Sequence, residues 1–174
     1  MSPLYVGIMS GTSLDGIDIT LCRFNDERRA ECLDALCVPM PADLRQQLLD
    51  LCSQGGDELY LTGVAGNACA RLAAQGVQQL LTQSQTAPEQ VRAIGSHGQT
   101  VRHHPEQGFS LQIGSPSLLA ELTGIDVIAD FRSRDLAAGG HAPVPVVDLP
   151  GRRGGHHRPL RRTDPAPGLL HTLG

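Results

Sequence analysis

Residues 10–18 read Ser-Gly-Thr-Ser-Leu-Asp-Gly-Ile-Asp, and the rest of the chain is organised around them. One apolar run, residues 4–9, leads into this stretch, and a second, residues 17–24, leads out of it. Two apolar runs joined by a short polar segment with glycine predict a β-hairpin. The hydroxyls and amides of the turn suit a phosphate, and its carboxylates suit the accompanying magnesium ion. An ordinary solvated turn fits the same residues equally well.

Two common phosphate-binding motifs are excluded. A Walker loop requires a lysine, and all 14 basic residues of this chain are arginines. The dinucleotide fingerprint places its glycines at the start of a helix, whereas residues 17–21 alternate with the period of a strand. A phosphate at this hairpin would therefore be bound in another way.

The composition is that of one globular domain. The chain has 174 residues, of which 40% are hydrophobic, and this is enough for a core. We expect no membrane span, because no apolar run approaches about 20 residues, and no signal peptide. The five cysteines include no Cys-x-x-Cys pair. We expect them to be scattered, buried free thiols in a reducing cytoplasm.

The periodicity predicts a β-meander followed by αβ units. The predicted elements are strands over residues 4–9, 17–24 and about 30–38, helices over about 41–54 and 57–82, strands over 91–94 and 109–113, a helix over 117–122 and a strand over 125–129. This order predicts an α/β fold in which helices cover a mixed sheet. In the long helix, we expect Gly76 to bend the helix and one stripe of residues to pack on the sheet. The stripe consists of Tyr60, Val64, Ala68 and Leu72, flanked by Leu61, Ala65 and Cys69.

Polar segments follow three of the predicted strands, at residues 10–16, 95–100 and 130–135. Because functional turns gather at strand ends in such sheets, we predict that the three line one cleft. His97 would contact a hydroxylated ligand there, or would be a structural histidine. The arginines of the third segment can hold a carboxylate or phosphate. The alternative is a surface salt-bridge network of little energetic value.

The pattern fails after residue 140. Residues 141–174 have no sustained period and are rich in Arg, Pro, Gly and His, which predicts a low-complexity tail beyond a domain of residues 1–140. Neither His103-His104 nor His156-His157 has the spacing of a structural zinc site, so we predict no metal centre. No aromatic residues interleave the basic ones, and we expect no nucleic-acid partner.

Four stretches together resemble the anhydro-N-acetylmuramic acid kinase family, in order and spacing. They are residues 9–18, 95–100, 111–114 and 128–140. The resemblance implies the N-terminal domain of the actin/hexokinase-like ATPase superfamily. It implies ATP and Mg²⁺ as cofactors, and conversion of 1,6-anhydro-N-acetylmuramic acid to N-acetylmuramic acid 6-phosphate in peptidoglycan turnover. A homodimer is implied for full-length members.

The resemblance also implies site residues. Those implied for ATP are Gly11, Thr12, Ser13, Leu14, Asp15, Gly16, Ile17 and Asp18. Those implied for the sugar are Ser96, His97, Gln99, Arg132 and Asp135. The family's water-activating aspartate lies in a later Asp-Thr-Gly-Pro motif that these 174 residues lack, so the catalytic residue stays unassigned.

The departure from the family pattern after residue 140 leads to two expectations. A reading-frame change near codon 141 would explain the loss of periodicity, and the family motif should then appear in another frame of the downstream DNA. We also expect these residues alone to be an inactive fragment of the kinase. The alternative is a non-catalytic module that binds a sugar or a phosphate.

Overall fold

A computed structural model of the chain describes residues 3–26, 29–53 and 55–140. The strands are β1 (Leu4–Ser10), β2 (Gly16–Phe24), β3 (Ala30–Pro39), β4 (Val91–Ser96), β5 (Gln99–His104), β6 (Phe109–Ile113) and β7 (Val127–Ile128). The helices are α1 (Ala42–Cys52), α2 (Glu58–Gln83), α3 (Pro116–Thr123) and α4 (Phe131–Ala137). The predicted tail, residues 141–174, lies outside the described residues.

A five-stranded mixed sheet forms the centre of the fold, in the order β3-β2-β1-β4-β7. The first three strands are an antiparallel meander, in which Ile8 of β1 lies opposite Ile19 of β2. β4 runs parallel to β1 and places Ser96 beside Ile8. This arrangement confirms the predicted α/β fold and the predicted hairpin.

Helix α2 packs closely on one face of the sheet through small residues. Its buried side is built from Ala65, Gly66, Cys69, Ala70, Ala73, Ala74, Gly76, Val77, Leu80 and Leu81. The predicted contact face is wrong at its first two members, since Tyr60 is 66% exposed and Val64 is 40% exposed. Its other members, Ala68 and Leu72, pack against the core. The helix continues through Gly76, where a Cβ atom would lie 2.7 Å from Val38 Cγ2 and closer still to Ile19 Cδ1. Glycine is therefore needed there for close approach to the sheet.

The other face of the sheet is contacted by α4. On this face, Gly7 of β1 lies between Thr20 of β2 and Gly95 of β4. Along each strand, the residues of this face alternate with the residues that face α2. A Cβ atom at Gly95 would be 3.6 Å from Phe131 Cζ. Helices thus lie on both faces, and Phe131 fixes α4 beside the carboxyl-terminal half of β4.

Strands β5 and β6 form a separate two-stranded sheet. Residues 99–104 were predicted to be turn and loop, and this prediction is wrong. The strand was missed because Val101 is its one aliphatic residue and side-chain hydrogen bonds support the rest. Gln112 Nε2 donates to Thr100 Oγ1 at 3.1 Å, and His103 Nδ1 lies 3.1 Å from Ser110 Oγ.

Arg102 connects this small sheet to the segment between α1 and α2. Its guanidinium donates to the carbonyl oxygens of Leu51 and Ser53 and to a carboxylate oxygen of Glu58. The guanidinium has five donors in a fixed planar fork, so it can satisfy several separate acceptors at once. Arg102 therefore holds β5 beside the start of α2.

Two further predictions differ from the structure near the third polar segment. Residues 131–137 form helix α4, although residues 130–135 were predicted to be a turn. Their charges are typical of a turn, but Arg, Leu and Ala favour a helix and Phe131 has a packing site at Gly95. The last strand pairs over two residues only, so the predicted strand over 125–129 is too long.

All five cysteines are free thiols. The prediction that they are buried is correct for Cys69 alone, since Cys37 and Cys52 are exposed. Burial raises the pKa of the Cys69 thiol to about 11, so it packs as a neutral, apolar group. Within the described ranges, no helix has the length and apolarity needed to cross a bilayer.

Candidate functional site

The turn between β1 and β2 is fixed by a buried leucine. Leu14 has a left-handed backbone, with φ of 53°, and its amide donates to Gly11 O at 3.2 Å. A left-handed conformation costs a non-glycine residue roughly 1–2 kcal/mol. The Leu14 side chain is buried in the core, which offsets this cost by about 1.5–3 kcal/mol. The turn therefore has one defined conformation.

The outer side of the turn is polar and accessible. Thr12, Ser13 and Asp15 are exposed, and Ser13 Oγ donates to Asp15 Oδ1 at 2.8 Å. Gly11 and Asp18 are half-buried at its two ends. The turn thus presents hydroxyls next to a carboxylate, with a second carboxylate at the start of β2.

The remaining residues implied for ATP support the turn from within. Gly16 and Ile17 are buried, and a Cβ atom at Gly16 would lie 2.6 Å from Val38 O of β3. Met40, just after β3, donates its amide to Asp15 O at 3.1 Å. Leu14, Gly16 and Ile17 therefore shape the turn, and its ligand-accessible surface is formed by the neighbouring polar residues.

His97 follows β4 at the same edge of the sheet. It is buried, and its amide donates to Ile8 O of β1 at 3.1 Å. His97 Nδ1 lies 2.9 Å from Gly98 O, so this nitrogen carries the proton, and Nε2 lies 3.5 Å from Arg132 Nη2. Burial, together with the Arg132 guanidinium, holds the pKa of His97 below its ordinary value. The imidazole is thus neutral and presents the Nε2 lone pair to Arg132.

A buried hydrogen bond joins the first and second polar segments. Ser10 Oγ donates to Gln99 Oε1 at 2.6 Å, and both side chains are buried. Sequence reasoning did not single out Ser10. A signal was present, because the alternation of Val6 and Ile8 continues to Ser10 and places a hydroxyl on the buried side of β1.

A small cavity lies behind this hydrogen bond, between the sheet and α2. Ser96 and Gln99 line it, together with Ser10 and the thiol-bearing Cys69. It holds about 20 Å³ of free space, which is room for about one water molecule. Ser96 and Gln99 therefore line a recess with room for about one water molecule.

Arg132 and Asp135 lie on α4, one turn apart and both half-buried. Arg132 reaches His97, which brings the third polar segment to the second. The amide of Gly140, just after α4, donates to Asp135 O at 2.9 Å. The three segments predicted to share a cleft are therefore connected: Ser10 to Gln99, and His97 to Arg132.

The described residues contain no ready-made metal centre. Within residues 3–26, 29–53 and 55–140, no three His, Cys, Asp or Glu side chains cluster closely enough to hold a metal ion. The hairpin turn nevertheless offers carboxylates at Asp15 and Asp18. That donor set fits a magnesium ion that receives its other ligands from phosphates and water.

A β-meander continued by parallel β4 and β7, with a polar hairpin turn after β1, is the N-terminal domain fold of the actin/hexokinase-like ATPase superfamily. A family model described as anhydro-N-acetylmuramic acid kinase matches residues 3–150. The chain belongs to the anhydro-N-acetylmuramic acid kinase family. The match extends past residue 140, where we predicted the domain to end.

Curated relatives agree with this family. The chain is 58% identical over 144 residues to the anhydro-N-acetylmuramic acid kinase of Pseudomonas putida strain KT2440, covering 83% of this chain and 39% of the relative. It is 56% identical over 147 residues to that of Pseudomonas syringae pv. syringae, covering 84% and 40%. For Bordetella pertussis the identity is 55% over 144 residues, covering 83% and 38%. The chain thus spans about 39% of the length of the curated relatives it matches.

Proposed function

We propose that this chain supplies the phosphate-binding half of an ATP-dependent kinase that converts 1,6-anhydro-N-acetylmuramic acid to N-acetylmuramic acid 6-phosphate. The observation that carries the proposal is the meeting of two polar segments at one sheet edge. The turn after β1 is joined to the segment after β4 by the 2.6 Å hydrogen bond between Ser10 and Gln99. A phosphate donor and a sugar acceptor have to meet in this way for phosphoryl transfer.

The hairpin turn binds the phosphates of ATP in this proposal. Thr12 and Ser13 donate from their hydroxyls and amides, and Gly11 lets the backbone approach closely because it has no side chain. Asp15 and Asp18 hold Mg²⁺, directly or through water. The ion supplies charge neutralisation of the phosphates when it is bound.

The second and third segments bind the sugar. The substrate carries a carboxylate, and a guanidinium binds a carboxylate with two parallel hydrogen bonds. Arg132 is the residue we propose for this contact, with His97 orienting it and Asp135 accepting hydrogen bonds from sugar hydroxyls. Ser96 and Gln99, which line the inner cavity, form the supporting layer of this pocket.

We expect the 174 residues alone to turn over negligibly. They lack the Asp-Thr-Gly-Pro motif in which the family places its water-activating aspartate. Three charge-assisted hydrogen bonds contribute about 1.5–3 kcal/mol each, against an association cost of roughly 4–15 kcal/mol. Binding of Mg-ATP at millimolar strength or weaker follows. The second candidate is a non-catalytic module that binds a sugar or a phosphate through the same polar segments.

The proposed partners are the anhydrosugar and, for a full-length protein, a second copy in a homodimer. We place the protein in the cytoplasm. The five free cysteines support this location, because a reducing compartment keeps thiols unpaired.

The proposal is tested by titrating the isotope-labelled 174-residue chain separately with Mg-ATP and with the anhydrosugar, following amide chemical shifts. We expect Mg-ATP to shift residues 11–16 and Asp15→Asn to weaken that binding. Asp43→Asn, at an exposed position of α1, is the matched control and should leave it unchanged. Shifts confined to other parts of the chain would overturn the assignment of the hairpin.

The sugar arm uses Arg132→Met, with the exposed Arg92→Met of β4 as its control. We expect the first variant alone to lose the anhydrosugar-induced shifts. An assay of ADP release then tests the expectation of negligible turnover. Robust anhydrosugar-dependent turnover by this chain would contradict the binding-module candidate and our expectation of negligible activity.

A further inference from the structure

The side chain of Gln99 is almost fully enclosed, with both ends of its amide hydrogen-bonded. It is 2% exposed. Its Oε1 accepts from Ser10 Oγ at 2.6 Å, and its Nε2 donates to Thr100 O at 3.1 Å. Because each end has a partner, the orientation of the amide is fixed.

The partner of Gln99 lies at the base of the hairpin turn. Ser10 is the last residue of β1, directly before Gly11, and lies opposite Ile17 in the hairpin. Gln99 itself is the first residue of β5 and comes two positions after His97. The hydrogen bond therefore connects the residue that starts the turn with the segment that carries the imidazole.

We propose that Gln99 is a positioning residue, which fixes the conformation of the hairpin turn by holding Ser10. This inference rests on the proposed function for its importance to ATP binding, but the effect on the turn is independent of any ligand. Direct contact between Gln99 and a sugar is disfavoured, because the residue is only 2% exposed and both ends of its amide are already hydrogen-bonded.

Loss of the Gln99 acceptor would leave Ser10 with a poorer partner. The next acceptor for its hydroxyl is Gly16 O, at 3.4 Å, on the opposite side of the turn. A donor–acceptor distance of 3.4 Å is beyond the usual range for a hydroxyl donor. The Ser10 hydroxyl would then be drawn toward Gly16, and the two ends of the turn would change their relative position.

The test compares Gln99→Met, Ser10→Ala and the double variant in the ligand-free 174-residue chain. Gln99→Met keeps the side-chain length and removes both hydrogen-bonding ends, and Ser10→Ala is the smallest change that removes the same bond. Gln78→Met, at an exposed position of α2, is the matched control. Amide hydrogen exchange is measured at Leu14, within the turn, and at Val77, in the core of α2.

We expect exchange at Leu14 to accelerate about fivefold to tenfold in each single variant, and no further in the double variant, because the Ser10–Gln99 hydrogen bond is lost in all three. Exchange at Val77 should change far less, and Gln78→Met should leave both sites unchanged. Equal acceleration at Leu14 and Val77 would show a merely structural role and would overturn the proposal. Unchanged exchange at Leu14, or effects that multiply in the double variant, would do so as well.

A titration with Mg-ATP separates this proposal from the proposed function. If the turn loosens as expected but the wild-type chain shows no Mg-ATP shifts at residues 11–16, the proposed function fails and the positioning role stands. If Mg-ATP binds there and exchange at Leu14 is unaffected by Gln99→Met, the positioning role fails and the proposed function stands. Where both hold, each single variant should weaken Mg-ATP binding by a similar factor.

Discussion

Substitution of Gly76 by alanine tests how closely α2 lies on the sheet. The new Cβ would sit 2.7 Å from Val38 Cγ2 and closer to Ile19 Cδ1, so side chains of β2 and β3 would have to move. Overpacking of this kind costs about 1–3 kcal/mol. Alanine also favours a helix over glycine by about 1 kcal/mol, which partly offsets that cost.

A second glycine of the same helix removes this complication. Gly63 is exposed, and no atom lies within 4 Å of a Cβ added there. Gly63→Ala therefore adds only the higher helix propensity of alanine and should raise the free energy of unfolding by about 0.5–1 kcal/mol. The difference between the two variants isolates the overpacking cost, about 1–3 kcal/mol in favour of Gly63→Ala.

The measurement is urea unfolding of the 174-residue chain, followed by far-ultraviolet circular dichroism. Both variants should keep the wild-type denaturant slope, because the surface exposed on unfolding is unchanged. Equal free energies of unfolding for the two variants would refute the reasoning, since α2 would then have room for a methyl group at Gly76.

Three further predictions follow from the site. The pKa of His97 is depressed from its ordinary value of 6.5, so the unfolded chain binds more protons than the folded chain and the free energy of unfolding falls as the pH drops below 6.5. The urea midpoint should therefore decrease less steeply with falling pH in His97→Gln than in wild type. Leu14→Ala should cost about 2–5 kcal/mol of unfolding free energy because its side chain is buried, whereas Leu59→Ala, at 89% exposure, should change it by less than about 0.5 kcal/mol. Gly98→Ala should lower the thermal midpoint more than Gly108→Ala: both have positive φ, but only at Gly98 would a Cβ meet another atom, 2.6 Å from Ile113 O. A smaller loss in Gly98→Ala than in Gly108→Ala would contradict the close approach of β6.

The meander and the long helix were predictable because their signals are local. The aliphatic residues of residues 4–8 and 17–21 recur at every second position, which is the strand period. Asp57 precedes the helix as a cap, accepting from the Tyr60 amide. β5 was not predictable in this way. Its polar residues are stabilised by hydrogen bonds to β6, and such partners are absent from a local pattern.

The candidate site was predictable in its position and less so in its detail. The three polar segments do meet at one sheet edge, as strand order alone suggests. Which of their residues support the turn from inside and which form its accessible surface depends on burial, and the motifs do not reveal burial. Leu14 and Gln99 stand among exposed-looking polar residues in the sequence, yet both are almost completely enclosed, and the link from Gln99 to Ser10 spans 89 positions.

The central strand has partners at very different distances along the chain. β1 pairs with β2 directly after the turn, and with β4 only after α1 and α2 have intervened. Closing a short loop costs less entropy than closing a long one, so the meander can form before β1 pairs with β4. The turn after β1 can therefore exist before His97 and Gln99 arrive beside it. The complete site therefore depends on the pairing of β1 with β4, which closes a much longer stretch of chain than the hairpin does.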